Sequence, residues 1–311
     1  MKKKILISGF GNIGFRYVEA ILKINYRLII YIHDKKINVL NKNLLKNKIH
    51  KLIFLTNLND LPKNIDLYIS AVTAESRLKL LKQVLKKTKV QNVLLEKVLV
   101  QKISELYTLK TLFNKLDNCF VNIPRENLNI YKKLKKKIKE PILSFKIIGG
   151  DWGLCSNSIH FIRFFSWISS SYLKNIDTKN LQNKFKSSKR KNFIEFFGKI
   201  ILNYYRFSGY FLCKEKKQNL SIKIKTKKNI WKIIETDKEI VISDKKKWKK
   251  IVKNPLLSKY MTNIIKNILE KKITSLPSLY DVVNDHEIFL KSFINHYNKF
   301  KKNKLDKIPI T

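Results

Sequence analysis

The segment KKILISGFGNIGFRYVEAI, residues 3–21, leaves a chain few choices. Residues 4–8 (KILIS) are a short apolar run of strand type, and Gly9-Phe10-Gly11-Asn12-Ile13-Gly14 then fits G-x-G-x-x-G. Ile13, Tyr17, Val18 and Ile21 follow at helical spacing, so the glycines sit between a strand and a helix. In that setting each glycine has a task. The first permits a tight turn, the second lets the backbone approach a pyrophosphate, and the third lets the helix pack close to the sheet. The helix start adds N–H donors and the positive end of a dipole. The next apolar run, RLIIYIHD (27–34), ends in Asp34, 20 residues after Gly14. A carboxylate there accepts hydrogen bonds from the ribose hydroxyls of an adenosine and repels a 2′-phosphate. NAD is therefore favoured over NADP. Lys35 and Lys36 offset part of that repulsion and keep NADP in view.

Further β-rich runs follow at KLIFLT (51–56), IDLYISAV (65–72), QNVLLEK (91–97) and NCFVNI (118–123), with the helix-like ESRLKLLKQVLKK after the fourth strand. Six strands alternating with helices predict a Rossmann-type, doubly wound parallel sheet over residues 1–123. After residue 124 the pattern changes. A lysine-rich helix (128–139) ends at Glu140-Pro141, and ILSFKII is strand-like. Residues 193–243 read as an antiparallel meander: FIEFFGKIILN alternates around Glu195, Ser208-Gly209 is the expected turn before YFLCK, SIKIKTK alternates strictly, and NIWKIIETDKEIVIS is a hairpin. Helices at 255–271 and 279–298 close the chain, the second started by Leu276-Pro277-Ser278. Residues 124–311 are thus expected to form an α+β domain around a largely antiparallel open sheet. No internal repeat is visible.

The formal charge of +43 invites a nucleic-acid reading, yet only seven of the 66 basic residues are Arg. The lysines are spread along the whole chain, where a phosphate-reading module would concentrate its charge, often as Arg. No specific nucleic-acid partner is expected. Cys119, Cys155 and Cys213 are an odd number without metal-ligand spacing, which points to reduced thiols and to no metal. The N-terminus runs directly into a strand, and no stretch of about 18 apolar residues escapes a charge. A cytoplasmic protein without a membrane span is expected.

Glu96-Lys97 follows the fifth strand, on the carboxyl edge where doubly wound sheets bind ligands. With the glycine loop at residue 9, Asp34, the strand-end Ala71-Val72-Thr73, and a histidine at the start of the second domain, this order and spacing resemble the glucose–fructose oxidoreductase/inositol dehydrogenase (Gfo/Idh/MocA) family. Members are sugar-acting, nicotinamide-dependent enzymes. GGDWGLCSNSIH, KRKNFIEFFGKI and SLPSLYDVVNDHEIFLKSF look like a branch tied to bacterial surface-polysaccharide synthesis. The resemblance implies that Lys97 lies beside the nicotinamide and the reacting hydroxyl, with Thr73 and Glu96 completing the cofactor-binding set. It implies that His160 is the acid/base group, and that Asn122, Arg125, Trp152, Asn157 and Arg163 line the substrate region. It also implies a homo-oligomer paired through the open sheet of the second domain. Three residues depart from the family pattern: Val98 replaces a proline, Asn157 replaces an aspartate, and Arg163 stands where many members carry a further aspartate.

The stretch around His160 can be read on its own terms. A helix capped by Ser156 puts Phe161, Phe164, Phe165 and Ile168 on one core-facing stripe. Asn157, His160 and Arg163 fall on a neighbouring polar line. An imidazole on that border suits a proton shuttle near neutrality, and equally suits the edge of a core. His286, inside the closing helix, is expected only to pack. The expected chemistry is reversible hydride transfer between a sugar or sugar-nucleotide secondary alcohol and a nicotinamide; the alternatives are NAD-assisted epimerisation or elimination, or a non-catalytic, NAD-binding regulator.

Overall fold

The structure is a computed structural model and describes residues 2–35, 49–113, 118–188, 190, 192–245, 248–254, 257–271, 274–302 and 304–311. By contact density the chain falls into two units, Met1–Val100 with Glu105–Asn122 and Pro255–Asp281, and Gln101–Ser104 with Ile123–Asn254 and Val282–Thr311.

In the first unit, strands β1 (Lys3–Ser8), β2 (Leu28–His33), β3 (Lys51–Leu55), β4 (Asn64–Ser70), β5 (Lys89–Leu95) and β6 (Cys119–Val121) form one sheet in the order β3-β2-β1-β4-β5-β6. Every pairing is parallel. The strands end in nearly continuous buried apolar runs, as a sheet covered on both faces requires. The order reverses beside β1, so the loops after β1 and β4 bound the crevice where such sheets hold ligands. Helices α1 (Asn12–Ile21), α2 (Ala74–Lys87) and α3 (Ile103–Phe113) are the crossovers. Gly14, Tyr17, Val18, Ala20 and Ile21 form the buried face of α1. The expected parallel sheet is present, with strand bounds within two residues of those read from the sequence.

A helix from far along the chain joins this unit. Met261, Ile264, Ile265, Ile268 and Leu269, counted within Leu257–Lys271, share a core with Val18, Ile21 and Ile24. The Thr262 hydroxyl donates to the Ala20 carbonyl at 2.9 Å.

In the second unit, α4 (Asn129–Lys137), β7 (Ile142–Gly150) and α5 (Leu154–Ser169) precede eight further strands: β8 (Leu173–Asp177), β9 (Leu181–Ser187), β10 (Ile194–Tyr204), β11 (Ser208–Lys214), β12 (Gln218–Thr226), β13 (Ile230–Glu235), β14 (Glu239–Ser243) and β15 (Lys249–Lys253). The Leu257–Lys271 helix is α6, and α7 (Leu279–Lys301) closes the helical set. The sheet runs β15-β14-β13-β12-β7-β11-β10-β8, with β9 also on β10. Among the described residues of this sheet, only β7 and β11 pair in parallel. The largely antiparallel α+β half is therefore as expected, with β8, β9 and β15 in addition to the strands read from the sequence.

Phe161, Phe164, Phe165 and Ile168 are buried, and Phe165 stacks on Phe145 of β7 at 3.8 Å between ring centroids. Two local expectations are corrected. The helix starts at Leu154 after Gly153, whose φ of 76° is left-handed, and Ser156 lies inside the first turn. The cap is supplied in trans: the buried Glu195 carboxylate of β10 accepts the Cys155 N–H at 2.7 Å and the Ser156 N–H at 3.2 Å. Nor do Ser208 and Gly209 form the turn; they are already in β11, and the hairpin closes with Tyr204 N–H on the Phe207 carbonyl at 2.9 Å. Burial, then the Glu195 charge, pushes the Cys155 thiol well up, so it stays protonated beside the carboxylate. Replacing Glu195 by alanine strands two helix N–H groups, one of them buried, and is expected to cost about 1–3 kcal/mol in a urea melt. Glu195→Gln, which keeps an acceptor, should recover part of that loss.

The start of α7 follows its sequence signal. Ser278 N–H donates to Asp281 at 2.8 Å, and Asp281 N–H returns a bond to the Ser278 hydroxyl at 3.3 Å. His286 is fully buried with Nδ1 at 2.9 Å from the Val282 carbonyl oxygen, in keeping with a packing role. The three cysteines are buried and free. Among the described residues, no helix is long and apolar enough to cross a membrane and no cluster of side chains could hold a metal ion.

Candidate functional site

The glycines of the first loop divide by what surrounds them. Gly9 has a φ of +91°, and a Cβ there would meet the Ala71–Val72 backbone at 2.9 Å. A Cβ on Gly14 would lie 1.8 Å from the Gly9 carbonyl oxygen. Those two are demanded by the turn and by the close helix. Gly11 differs: its φ of −76° suits any residue, and nothing lies within 4 Å of a Cβ built there. The chain itself gives no packing reason for glycine at that point. Gly11 also starts α1 without a side-chain cap, so the first helical N–H groups are not satisfied by one.

Asp34 follows β2 and turns toward this loop. Its Oδ2 accepts the Phe10 N–H at 2.6 Å, while its own N–H is held by the Leu55 carbonyl at 3.1 Å. The Phe10 ring packs against Phe15 and Phe54, with centroids 6.2 and 6.1 Å away. Thr73 is the residue before α2 and is half-buried. Lys35 is exposed; Lys36 lies outside the described residues.

Below the loop is a buried polar knot that sequence reading missed. The Tyr17 hydroxyl of α1 donates to Glu96 Oε1 at 2.5 Å. The Asn122 amide donates to the same oxygen at 2.6 Å and to the Tyr17 hydroxyl at 2.9 Å. Burial, reinforced by the Glu96 carboxylate, holds the Tyr17 phenol far above its usual pKa, so it acts as a fixed donor. The Asn122 Oδ1 is buried and accepts no hydrogen bond from the described residues. Lys97, next along, is half-buried, and the Lys97–Val98 peptide is cis. The segment after it is clamped by Arg77 of α2, which is 1% exposed. Its guanidinium donates to the Val98 carbonyl, to Leu99 O at 2.9 Å and to Val72 O at 2.7 Å. One cation thereby joins the segment after β4 to the segment after β5.

In the second unit, Asn157, His160 and Arg163 are all half-buried along α5, beside the buried aromatic stripe. Asn157 donates to the Trp152 carbonyl at 2.7 Å, and Trp152 donates its indole N–H to Leu212 O at 3.2 Å. Arg163, unexplained from the sequence, pairs with Glu126 at 3.2 Å. Arg125 pairs with Glu235 at 2.6 Å and lies over the Phe161 ring, 3.9 Å from its centroid. Tyr131 donates to the same Glu235. The structure thus gathers Trp152, Asn157, His160 and Arg163 on or beside one helix and Arg125 on its aromatic face. Glu126, Glu235 and Tyr131 are the partners sequence reading missed. Only contact across many residues identifies them.

No protein-family model matches the sequence, and no curated protein matches it. Solved structures do match the fold. A protein described as an NADPH-dependent oxidoreductase from Desulfitobacterium hafniense superposes with a TM-score of 0.71 at 9% identity, over 97% of this chain and 96% of that one. The dehydrogenase MviM from Clostridium difficile gives 0.69 at 16% identity, over 95% and 99%. The repressor Gal80p from Saccharomyces cerevisiae, in a super-repressor form, gives 0.73 at 14% identity, over 96% and 97%. The chain therefore has the fold of these two-part proteins, a Rossmann-type unit followed by a mostly antiparallel sheet.

Proposed function

We propose that the chain is a nicotinamide-dependent oxidoreductase acting on a secondary alcohol or ketone of a sugar or sugar nucleotide, in bacterial surface-polysaccharide synthesis. The observation that carries the reading is the open space at Gly11, in a loop whose other two glycines have steric reasons to be glycine. It leaves room for a pyrophosphate against the backbone. The uncapped start of α1 and the adjacent Asp34 carboxylate fit the rest of a dinucleotide. Asp34 supports NAD as the cofactor, while one fold neighbour is described as NADPH-dependent.

A bound nicotinamide supplies the hydride donor or acceptor. The chain's own residues do the remainder. His160 takes the hydroxyl proton as the carbonyl forms, or returns it in the reverse direction. Lys97 steadies negative charge on the oxygen, and Asn122, whose amide is tied to Glu96 and Tyr17, supports the lining of the substrate region. Trp152, Asn157, Arg125 and Arg163 shape the substrate region. Glu96 braces the loop through Tyr17.

A second reading, a non-catalytic nucleotide-binding regulator, is favoured by the fold likeness to Gal80p and by the engagement of Arg125 and Arg163 in internal ion pairs. Thermal unfolding with NAD, NADH, NADP and NADPH tests the first step. Nucleotide at about a hundred times its dissociation constant stabilises the native state by roughly 2.7 kcal/mol, a shift of a few degrees. Stabilisation by NAD or NADH together with turnover on a sugar nucleotide, lost in Lys97→Ala and His160→Ala, supports the enzyme. Stabilisation without turnover on any sugar supports the regulator. No shift with any nucleotide would end both.

A further inference from the structure

The end of the second unit's sheet, away from its open face, has the chemistry of a binding site. Where β7 and β13 finish and β12 and β14 begin, the turns enclose an open-mouthed cavity of about 690 Å³. Asp151, Gln218, Asn219, Glu235, Asp237 and Asn254 are in its wall. The volume is in the usual range for small-ligand sites, but the lining is far more polar than most. The sign of its charge also departs from the rest of the surface. The chain carries 66 basic and 23 acidic residues, yet this wall holds three carboxylates and a single lysine, Lys217. Two of the carboxylates are already balanced: Lys186 donates to Asp151, and Arg125 and Tyr131 donate to Glu235. Asp237 and Lys217 offset each other in charge. The cavity is therefore close to neutral in a strongly positive molecule.

Its walls are fixed, and its recognition groups are free. Asp151 is held at a left-handed φ of 48°, with its N–H on the Lys214 carbonyl at 2.8 Å. An outlier of that kind beside a polar cavity points to a function. The Asn254 amide donates to the Thr236 carbonyl at 2.9 Å, tying the strand after β15 to the β13–β14 turn. Among the described residues, the side chains of Gln218, Asn219 and Asp237 form no hydrogen bond or ion pair. The cavity also adjoins the candidate substrate region through shared residues of this unit. Glu235 grips Arg125, which lies over the Phe161 ring of α5. Asp151 precedes Trp152, whose carbonyl accepts the Asn157 amide.

We propose that this cavity binds an uncharged sugar unit next to the one that reacts, so that the substrate is a glycoside of two or more sugars. The proposal rests on the oxidoreductase reading and narrows it. Sugar hydroxyls both donate and accept. The carboxylates of Asp151, Glu235 and Asp237 accept from them, and the amides of Gln218 and Asn219 do both. A phosphate would meet three carboxylates and one lysine, so the lining selects against the diphosphate of a nucleotide at this place. An apolar ligand would find Leu220 alone among the lining side chains to bury itself on.

The test is a printed array of neutral mono-, di- and trisaccharides, with acidic glycans and immobilised UDP beside them, probed with the dye-labelled full chain in physiological salt. Retention on one or more neutral di- or trisaccharides is expected, at least tenfold tighter on titration than for any component monosaccharide. Asn219→Trp, which fills the cavity from an exposed position, should remove that tenfold gain. Gln218→Ala/Asp237→Ala should reduce it severalfold. Lys82→Trp, on an exposed position of α2, should leave it within twofold. An unchanged Tm in Asn219→Trp separates lost binding from lost fold. The proposal is overturned if no neutral glycan is retained, if mono- and disaccharides are retained equally, or if Asn219→Trp changes nothing. It is overturned as well if that variant weakens retention on UDP or acidic glycans instead. Stabilisation by NAD without retention on any glycan sinks the sugar subsite and leaves the oxidoreductase reading standing. Retention that Asn219→Trp removes, in a chain that no nucleotide stabilises, supports the sugar-binding cavity and ends that reading.

Discussion

Gly11→Val should melt like the unaltered chain and yet lose its stabilisation by NAD. The new side chain finds an ordinary backbone conformation and open space, so the cost to the fold should stay within about 0.5 kcal/mol. The same space is where a pyrophosphate would approach the loop, and two methyl groups there keep it away. Nearly the whole of the roughly 2.7 kcal/mol expected at a hundredfold excess over the dissociation constant should then vanish. Gly14→Val should do the opposite kind of damage. Its Cβ would stand 1.8 Å from the Gly9 carbonyl oxygen, a backbone atom that cannot swing aside. Relief requires α1 to move off the sheet, at a cost of about 3 kcal/mol or more. Parallel melts with and without nucleotide separate the two effects. If Gly11→Val responds to NAD as the unaltered chain does, this loop is not where the nucleotide binds.

That contrast shows how far the sequence could be read. Strand, glycine turn and helix are local signals, and the parallel sheet with Asp34 beside the loop came from their order. The aromatic stripe of α5 was equally plain, because four apolar side chains at helical spacing have to be buried. What escaped is what depends on distant partners. Ser156 has the right chemistry for a helix cap, but the helix starts earlier and Glu195, 39 residues away, accepts the N–H of Ser156 itself. Strands β8, β9 and β15 read LKNID, LQNKFKS and KKIVK, too polar to announce themselves, and pairing with a neighbour defines them. The apolar face of α6 is visible in the sequence, whereas its place in the first core, against α1, is not. Arg163 had no account until Glu126 was found beside it. Of the candidate site, the glycine loop could be derived from spacing, while Lys97 and His160 rested on resemblance.

Arg77 is the strongest case of a residue hidden in plain sequence. In AESRLKLLK it looks like one more solvated cation on an amphipathic helix, and it is instead buried with no part of its role on the surface. Its charge is spread over three backbone carbonyls, at Val72, Val98 and Leu99, which no other side chain among the described residues satisfies. Arg77→Met keeps much of the volume and removes every donor. Each stranded carbonyl costs about 1–3 kcal/mol, so the total loss should reach 3 kcal/mol or more in a urea melt. Arg77→Lys should fall between, since an ammonium retains the charge but cannot reproduce the planar fork. The lysine variant carries the functional consequence. If Lys97 acts on the substrate oxygen, loosening Val98 and Leu99 behind it should lower turnover while NAD still stabilises the folded protein, because the glycine loop is untouched. Turnover unchanged in a folded Arg77→Lys protein would leave the clamp a purely structural one.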